Sequence, residues 1–297
     1  MKDIKFAFLV VILSLAVPSF AQEAASRVIE NGGTGKYSAI MVTDASLQTH
    51  TIFRPKDIDG FKKKKSLPLI VWGNGACFDS PFEHVNFLNE IASHGFLVIA
   101  IGTMPKESGE QNKERSTSSK LRDAIDWAIS QNSDEKSAYF KRIDTKNIGA
   151  AGMSCGGLQA LEVATDPRVT TLLVANSGIF IEPIRGNAMP MMPQLDKTHL
   201  PKIHTPTLYL LGGPSDIAYK NGMDDVAKLN HVPVFVGNLD VGHGGTYAQP
   251  HGGDFAKVAT AWFSWQLKGD KKAGKLFTGN PPGLSKFAGW SFDKKNM

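Results

Sequence analysis

Several signals that would assign a chemistry at once are missing from this chain of 297 residues. It contains no H-x-H or H-E-x-x-H cluster, the spacing by which many hydrolases bind zinc. We therefore expect neither a metal nor a cofactor. The lysine clusters, at residues 62–65 and in the tail, are not interleaved with aromatic residues in the way of a nucleic-acid-binding surface. We interpret the net charge of +5 as a solvated surface and expect no nucleic-acid partner; weak attraction to an anionic polymer is the alternative.

Long apolar runs are scarce as well. One lies at Phe6–Val17, after Lys2 and Lys5 and before the small residues Ser19 and Ala21. This pattern is typical of a secretory signal peptide, and we expect residues 1–21 to be removed, although an uncleaved anchor is the alternative. No later stretch approaches the length of a transmembrane helix, so we expect no stable membrane insertion after cleavage. The protein is predicted to be exported, to the periplasm or beyond.

Apolar residues make up 42% of the chain and charged residues 21%, as in ordinary globular proteins. Residues 37–43 and 50–55 have strand character and predict an antiparallel pair. Beyond them, apolar strands alternate with amphipathic helices, which predicts a mostly parallel sheet with helices on both faces. We expect residues 22–297 to form a single α/β domain. Residues 178–203, rich in proline and methionine, interrupt the alternation as either a cap or substrate loop, or an irregular surface excursion.

The sequence "GMSCG" at residues 152–156 matches the G-x-S-x-G pattern, with Ser154 at its centre. A short strand precedes this turn and a helix follows it, which is the context of a nucleophile elbow. We therefore predict that Ser154 is a catalytic nucleophile. Cys155 comes one residue later, so its side chain should point into the fold and its backbone N–H should serve as an oxyanion donor.

A serine nucleophile needs a base and an orienting carboxylate, which follow it along the chain in the order acid, then histidine. His243 lies just past a strong strand, and we predict it to be the base, with His251 as the alternative. Asp216 follows the preceding strand and is the predicted acid. Asp240 lies close to the histidine and stays open as a second candidate. The aspartates at 224–225 fall on the next helix and are expected to be solvated.

The second oxyanion donor should come from the loop after an early strand, where "VWGNGACFDS" occupies residues 71–80. The glycines on either side of Asn74 allow the backbone to approach a substrate. We predict the backbone N–H of Asn74 as the donor, with Ala76 as the alternative.

These motifs together resemble the α/β-hydrolase superfamily, and within it the branch of dienelactone hydrolases, bacterial cutinases and polyester hydrolases. "GMSCGG", "GGPSDIA" and "GHGG" are similar to the serine turn, acid loop and histidine loop of that branch, and the resemblance spans residues 37–267. It implies an eight-stranded α/β-hydrolase core and esterase-type activity without a cofactor. The sequence departs from the cutinase pattern at Asn74, where an aromatic residue is usual, and in "LLVANSGIF", which lacks the usual tryptophan.

The combined prediction is an exported serine carboxylesterase that works through an acyl-enzyme on a small-molecule or polymer-borne ester. A peptidase or thioesterase could use the same triad, and a non-catalytic binding protein could share the fold. The identity of the ester and the oligomeric state are left open by the sequence.

Cysteine is the last scarce residue, with only Cys77 and Cys155 in the chain. In the fold that the resemblance implies, the loops that carry them line the same small space. Export favours oxidation, so we predict a disulfide between them that ties the two oxyanion donors together. The alternative is a buried, apolar Cys155 and a free thiol at Cys77.

Overall fold

The computed structural model describes residues 25–62, 65–109, 111–182 and 191–297. Within these ranges ten strands form one sheet in the order β1-β2-β3-β5-β4-β6-β7-β8-β9-β10. The strands are β1 (Ser26–Arg27), β2 (Ala39–Val42), β3 (His50–Pro55), β4 (Leu67–Gly73), β5 (Leu97–Ile101), β6 (Ile143–Met153), β7 (Val169–Ala175), β8 (Thr207–Leu211), β9 (Val234–Leu239) and β10 (Trp290–Lys295). The run from β5 to β9 is parallel, whereas the strands at both edges are antiparallel. This is the mostly parallel sheet of an α/β-hydrolase, as predicted.

The helices are α1 (Val85–Ser93), α2 (Ser119–Ser133), α3 (Cys155–Val163), α4 (Tyr219–Lys228), α5 (Gly253–Lys268) and α6 (Lys271–Gly274). Alternate residues of each strand point to opposite faces of the sheet. Leu69 and Val71 of β4 therefore pack in the core beneath α2 and α3, whereas Ile70 and Trp72 pack in the core beneath α1 and α5. Because both faces are covered, the central strands are continuous apolar runs.

The sheet is wider than the eight strands that the resemblance implies. The antiparallel pair β2 and β3 is present as predicted, but the short β1 extends it. At the other edge, the tail returns as β10 and pairs with β9, with Trp290 opposite Leu239. The rings of Phe235 and Phe292 stack across this pair, with centroids 6.0 Å apart. The tail is therefore part of the sheet.

The topology fixes where a site can form. The carboxyl ends of β4, β6, β7, β8 and β9 lie at one edge of the sheet because these strands are parallel. Ser154, Asp216 and His243 each follow one of these ends. The predicted signal peptide lies outside the described residues. Among the described residues, no helix combines the length and apolarity needed to cross a membrane.

Candidate active site

Ser154 occupies a sharp turn between β6 and α3. Its backbone dihedrals are φ 55° and ψ −120°, a conformation that residues other than glycine rarely adopt and that is found at functional turns. The Ser154 N–H donates to the Ala175 carbonyl at 2.9 Å, and the Ser177 hydroxyl donates to the Ser154 carbonyl at 2.7 Å. These bonds hold the turn against the end of β7.

Small residues let three backbones meet at this turn. A Cβ atom placed on Gly156 would lie 2.1 Å from the carbonyl carbon and oxygen of Gly73, and one on Gly152 would lie 2.1 Å from the Gly156 oxygen. Real Cβ atoms do not approach backbone so closely. The start of α3 therefore packs directly against the end of β4, which brings the loop after β4 beside Ser154.

His243 lies in the loop after β9 and connects Ser154 to Asp216. Its Nε2 is 3.0 Å from the Ser154 Oγ, and its Nδ1 is 2.6 Å from the Asp216 Oδ1. An ionised carboxylate only accepts hydrogen bonds, so Nδ1 carries the proton and donates it. Nε2 is then free to accept the hydrogen bond of the serine hydroxyl. The structure thus brings together the three residues that the sequence predicts.

Asp216 is buried, and a set of donors compensates its charge. It accepts hydrogen bonds from His243, from the N–H groups of Ala218 at 2.9 Å and Gly212 at 3.1 Å, and from the Asn176 amide at 2.8 Å. Burial by itself raises the pKa of a carboxyl group, but the combined hydrogen bonds, first that of His243, outweigh it and lower the pKa of Asp216. Asp216 is therefore a carboxylate at neutral pH.

The alternative acid and base lie elsewhere. His251 faces Glu30 and Glu90, with its Nδ1 3.5 and 3.6 Å from their carboxylates. Asp240 accepts a hydrogen bond from the Ser215 hydroxyl at 2.9 Å. Neither takes the place that His243 or Asp216 occupies beside Ser154.

The expectation that both aspartates at 224–225 are solvated is wrong for Asp225. Its side chain is fully buried and accepts hydrogen bonds from the Lys197 ammonium at 2.6 Å and the Ile179 N–H at 2.8 Å. Burial raises its pKa to about 6 despite these donors. The burial of Asp225 could not be predicted from the polar sequence of this helix, because the cation that compensates its charge, Lys197, comes from another segment of the chain.

The loop after β4 holds the two candidate oxyanion donors, Asn74 and Ala76, in different surroundings. Asn74 is buried, and its side-chain amide donates to the carbonyls of Phe78 at 2.9 Å and Ile101 at 2.8 Å. Gly75 and Ala76, rather than Asn74, line the cavity beside Ser154. Ala76 has a positive φ of 52°, which turns its backbone away from the direction that an extended strand would give. Of the two candidate donors, Ala76 lines the cavity and Asn74 does not.

Cys77 and Cys155 form a disulfide, which confirms that prediction. Their Cα atoms are 5.1 Å apart although the residues are separated by 78 positions in the sequence. The bond joins the loop after β4 to the first residue of α3. It therefore links the two backbone segments on either side of the serine.

A cavity of about 450 Å³ opens above the serine. Most of its surface is apolar, and Ile217, 80% exposed, stands at its rim. Its lining residues are Gly75, Ala76, Phe78, Glu83, Met153, Ser154, Cys155, Leu158, Asn176, Ser177, Gly178, Phe180, Met192, Ile217, Ala218, Asn221 and His243.

Comparison with known protein families gives a match that covers Ser154, Asp216, His243 and the disulfide. The family described as PETase, PET hydrolase-like, matches residues 77–282. The chain belongs to this family. A comparison with curated proteins found no match. Membership in the PET hydrolase-like family supports a hydrolase that acts on esters, including polyesters, and agrees with the resemblance inferred from the motifs.

Part of the interrupting segment at residues 178–203 contributes to the site of this PET hydrolase-like protein. Phe180 and Met192 come from its two described parts and line the cavity. Residues 183–190 lie outside the described residues. Phe180 and Met192 therefore lie on the substrate side of the sheet.

One polar residue of the site is not among those predicted from the sequence. Asn176 follows directly after β7, lines the cavity and donates to Asp216. A signal was present, since a polar residue that ends an apolar parallel strand reaches the same edge as Ser154. Its partner, however, is 40 positions away in the sequence, and spacing alone could not pair them.

Proposed function

We propose that this protein is an exported serine hydrolase that cleaves carboxylic esters through an acyl-enzyme, with Ser154, His243 and Asp216 as its triad. The observation that carries the proposal is the chain of two hydrogen bonds, 3.0 Å from Ser154 to His243 and 2.6 Å from His243 to Asp216. A serine, a base and a buried carboxylate in this order are the arrangement by which a hydroxyl becomes a nucleophile at neutral pH.

In the first half-reaction, the Ser154 Oγ attacks the ester carbonyl carbon while its proton passes to the His243 Nε2. The tetrahedral intermediate collapses, the carbon–oxygen bond to the alcohol breaks, and the same proton leaves with the alcohol. In the second half-reaction, water attacks the acyl-enzyme and gives its proton to His243. Collapse of the second intermediate then releases the carboxylic acid and returns the proton to Ser154. Asp216 stays ionised and stabilises the imidazolium in both halves.

The negative charge that develops on the carbonyl oxygen needs donors that are already in place. We assign this role to the backbone N–H groups of Cys155 and Ala76. The N–H of Cys155, the first residue of α3, has no acceptor within the helix, and Cys155 lines the cavity. Each such donor is typically worth about 3 kcal/mol in the transition state. The disulfide between Cys77 and Cys155 supports the proposal because it fixes one donor segment relative to the other.

The lining of the cavity favours a substrate that binds through an uncharged, apolar acyl or alcohol group. Phe78, Leu158, Phe180 and Met192 provide apolar surface on the walls. Glu83 is the acidic residue among the lining residues, and its charge disfavours a substrate that carries a carboxylate next to the scissile bond. An exported enzyme with an open cavity is suited to an extracellular ester, including one within a polymer.

The test is covalent labelling combined with a substrate panel. A fluorophosphonate probe should label the mature wild-type protein at Ser154, and Ser154→Ala should abolish labelling. The wild-type protein should hydrolyse p-nitrophenyl esters of graded acyl length and aryl esters in preference to peptides and thioesters. Ser154→Ala and His243→Ala should each lower kcat by about 10⁴-fold or more.

Matched variants separate this triad from its alternatives. His251→Ala is the control for His243→Ala, and Asp240→Asn is the control for Asp216→Asn. Both controls should retain most of the activity. An unlabelled wild-type protein without esterase activity would instead favour the non-catalytic binding protein, and a preference for peptides or thioesters would reassign the reaction while keeping the triad.

A further inference from the structure

Asn176 holds Asp216 from the side opposite His243. It is fully buried at the end of β7, and its Nδ2 donates to the Asp216 Oδ2 at 2.8 Å and to the Gly242 carbonyl at 3.2 Å. Gly242 directly precedes His243. One side-chain amide therefore binds both the carboxylate of the acid loop and the backbone of the histidine loop.

The orientation of this amide is fixed by its surroundings. Asp216 and the Gly242 carbonyl both only accept hydrogen bonds, so the NH₂ end of Asn176 must face them. The other end, Oδ1, accepts the hydrogen bond that the Tyr247 hydroxyl donates. A rotated amide would place Oδ1 against the carboxylate and leave the tyrosine without an acceptor.

Tyr247 is itself held rigidly. It is buried, and its ring makes edge contacts with the rings of Trp72, His84, Phe87 and Phe255, with centroids between 5.1 and 6.3 Å away. The hydroxyl therefore stands on a packed aromatic cluster that connects the core beneath α1 and α5 with the acid loop. Burial and the nearby Asp216 raise the pKa of Tyr247 well above its ordinary value, so the hydroxyl keeps its proton.

We propose that Asn176 and Tyr247 are positioning residues for the catalytic acid. Tyr247 fixes the orientation of the Asn176 amide. Asn176 in turn fixes the orientation of the Asp216 carboxylate and the position of the loop that carries His243. This inference rests on the proposed function, because it needs Asp216 to be the residue that orients His243. The carboxylate has two oxygens with separate tasks. Oδ1 accepts from His243 and Ala218, whereas Oδ2 accepts from Asn176 and Gly212. Without Asn176, Oδ2 keeps a single donor and the carboxylate can rotate.

The backbone of Asn176 guides the choice of variant. Its φ is 43°, where alanine would be strained but glycine is not. Asn176→Gly therefore removes the amide without backbone strain, and Tyr247→Phe removes only the hydroxyl from an otherwise intact ring. The two single variants and the double variant form a double-mutant cycle.

We expect Asn176→Gly to lower kcat by about 10- to 100-fold, the size of one hydrogen bond to a charged group, with little change in KM. Tyr247→Phe should lower kcat less, by about 3- to 10-fold. The double variant should be no slower than Asn176→Gly, because the hydroxyl acts only through the amide. Proton NMR gives a second readout: the downfield resonance of the His243 Nδ1–H should broaden or shift in both single variants.

Each result has a defined meaning. A folded Asn176→Gly with wild-type kcat and an unchanged His243 resonance would overturn the inference, and so would strictly additive effects in the cycle. If Asn176→Gly does not fold, Tyr247→Phe decides through its kcat and its NMR signal. Ser154→Ala is assayed in parallel. If it is inactive while Asn176→Gly is fully active, only the positioning role fails; if Ser154→Ala is fully active, the triad itself is wrong.

Discussion

Cys77 and Cys155 are joined by a disulfide, with their Cα atoms 5.1 Å apart. Cys155 supplies one of the two backbone N–H groups that we assign to the oxyanion hole. Cys77 directly follows Ala76, the residue that supplies the other. The disulfide therefore constrains the separation of the two donors, in addition to closing a loop between residues that are 78 positions apart.

Removal of this bond should lower both stability and turnover. Both cysteines are buried, so the variant is the double substitution Cys77→Ala with Cys155→Ala, which leaves no free thiol. A disulfide that closes a loop of this length contributes about 2–5 kcal/mol to the free energy of unfolding. We expect a loss of that order in urea unfolding, and a fall in kcat because the donors are no longer held together.

The matched control for the disulfide is chemical reduction. Treatment of the wild-type protein with a reductant should reproduce both losses, whereas the same treatment should leave the double variant unchanged. If the variant loses stability but keeps the wild-type kcat, the bond stabilises the fold without shaping the oxyanion hole.

A methyl group at Gly156 should not be tolerated. A Cβ there would lie 2.1 Å from the Gly73 carbonyl and 2.5 Å from the Asn74 nitrogen. These are backbone atoms and cannot rotate away, so Gly156→Ala must displace α3 from β4. We expect about 3 kcal/mol or more of destabilisation, the upper end of overpacking costs, together with loss of fluorophosphonate labelling.

Gly244 is the matched control for Gly156. A Cβ atom built on it meets nothing within 4 Å, so Gly244→Ala should leave the free energy of unfolding close to that of the wild-type protein. Equal stability of the Gly156→Ala and Gly244→Ala variants would contradict the close backbone contact between β4 and α3.

The order of elements explains why much of the site could be predicted from sequence. Ser154, Asp216 and His243 each follow an apolar strand, and parallel topology brings such positions to one edge of the sheet. The sequence therefore locates the three residues without any knowledge of distances.

Loop conformation could not be predicted in the same way. Ala76 and Cys77 both have positive φ, of 52° and 56°, although neither residue type favours that region. The tertiary contacts of Asn74 and the disulfide hold this shape, so the local sequence could not show that Ala76, and not Asn74, lines the cavity. The strand β10 was missed for a related reason. Its residues are largely polar, and only pairing with β9 makes them a strand.

The side-chain amide of Asn74 should contribute to both the stability and the turnover of the protein. Its amide donates to the Phe78 and Ile101 carbonyls and closes the loop that carries Ala76. Asn74→Ala leaves both carbonyls without this donor, which costs about 1–3 kcal/mol when such groups are buried. We expect lower stability and a fall in kcat with little change in KM.

Asn86 provides the control for Asn74. Its side-chain amide also donates to two backbone carbonyls, those of Ala248 and Gln249, but these hydrogen bonds are exposed to solvent. Asn86→Ala should cost less stability and leave kcat close to the wild-type value. An Asn74→Ala variant with unchanged kcat would show that the loop keeps its shape without this amide.

His84 should make the protein less stable in acid. It is completely buried beside Trp72 and Tyr247, and burial lowers its pKa from 6.5 to about 3. Between these two values the unfolded chain binds a proton that the folded protein does not bind. Stability therefore falls as the pH decreases from 6.5 towards 3, by up to about 1.4 kcal/mol per pH unit for this one group.

Urea unfolding across this pH range, with the wild-type protein and His84→Phe, measures the contribution of His84 directly. In the variant the free energy of unfolding should fall less steeply with decreasing pH, because phenylalanine binds no proton on unfolding and the slope lacks the contribution of that one proton. The phenylalanine ring can pack in the same aromatic cluster. His204 is exposed, and His204→Phe should keep the wild-type slope. Identical slopes for His84→Phe and the wild-type protein would mean that His84 does not remain neutral in the folded protein.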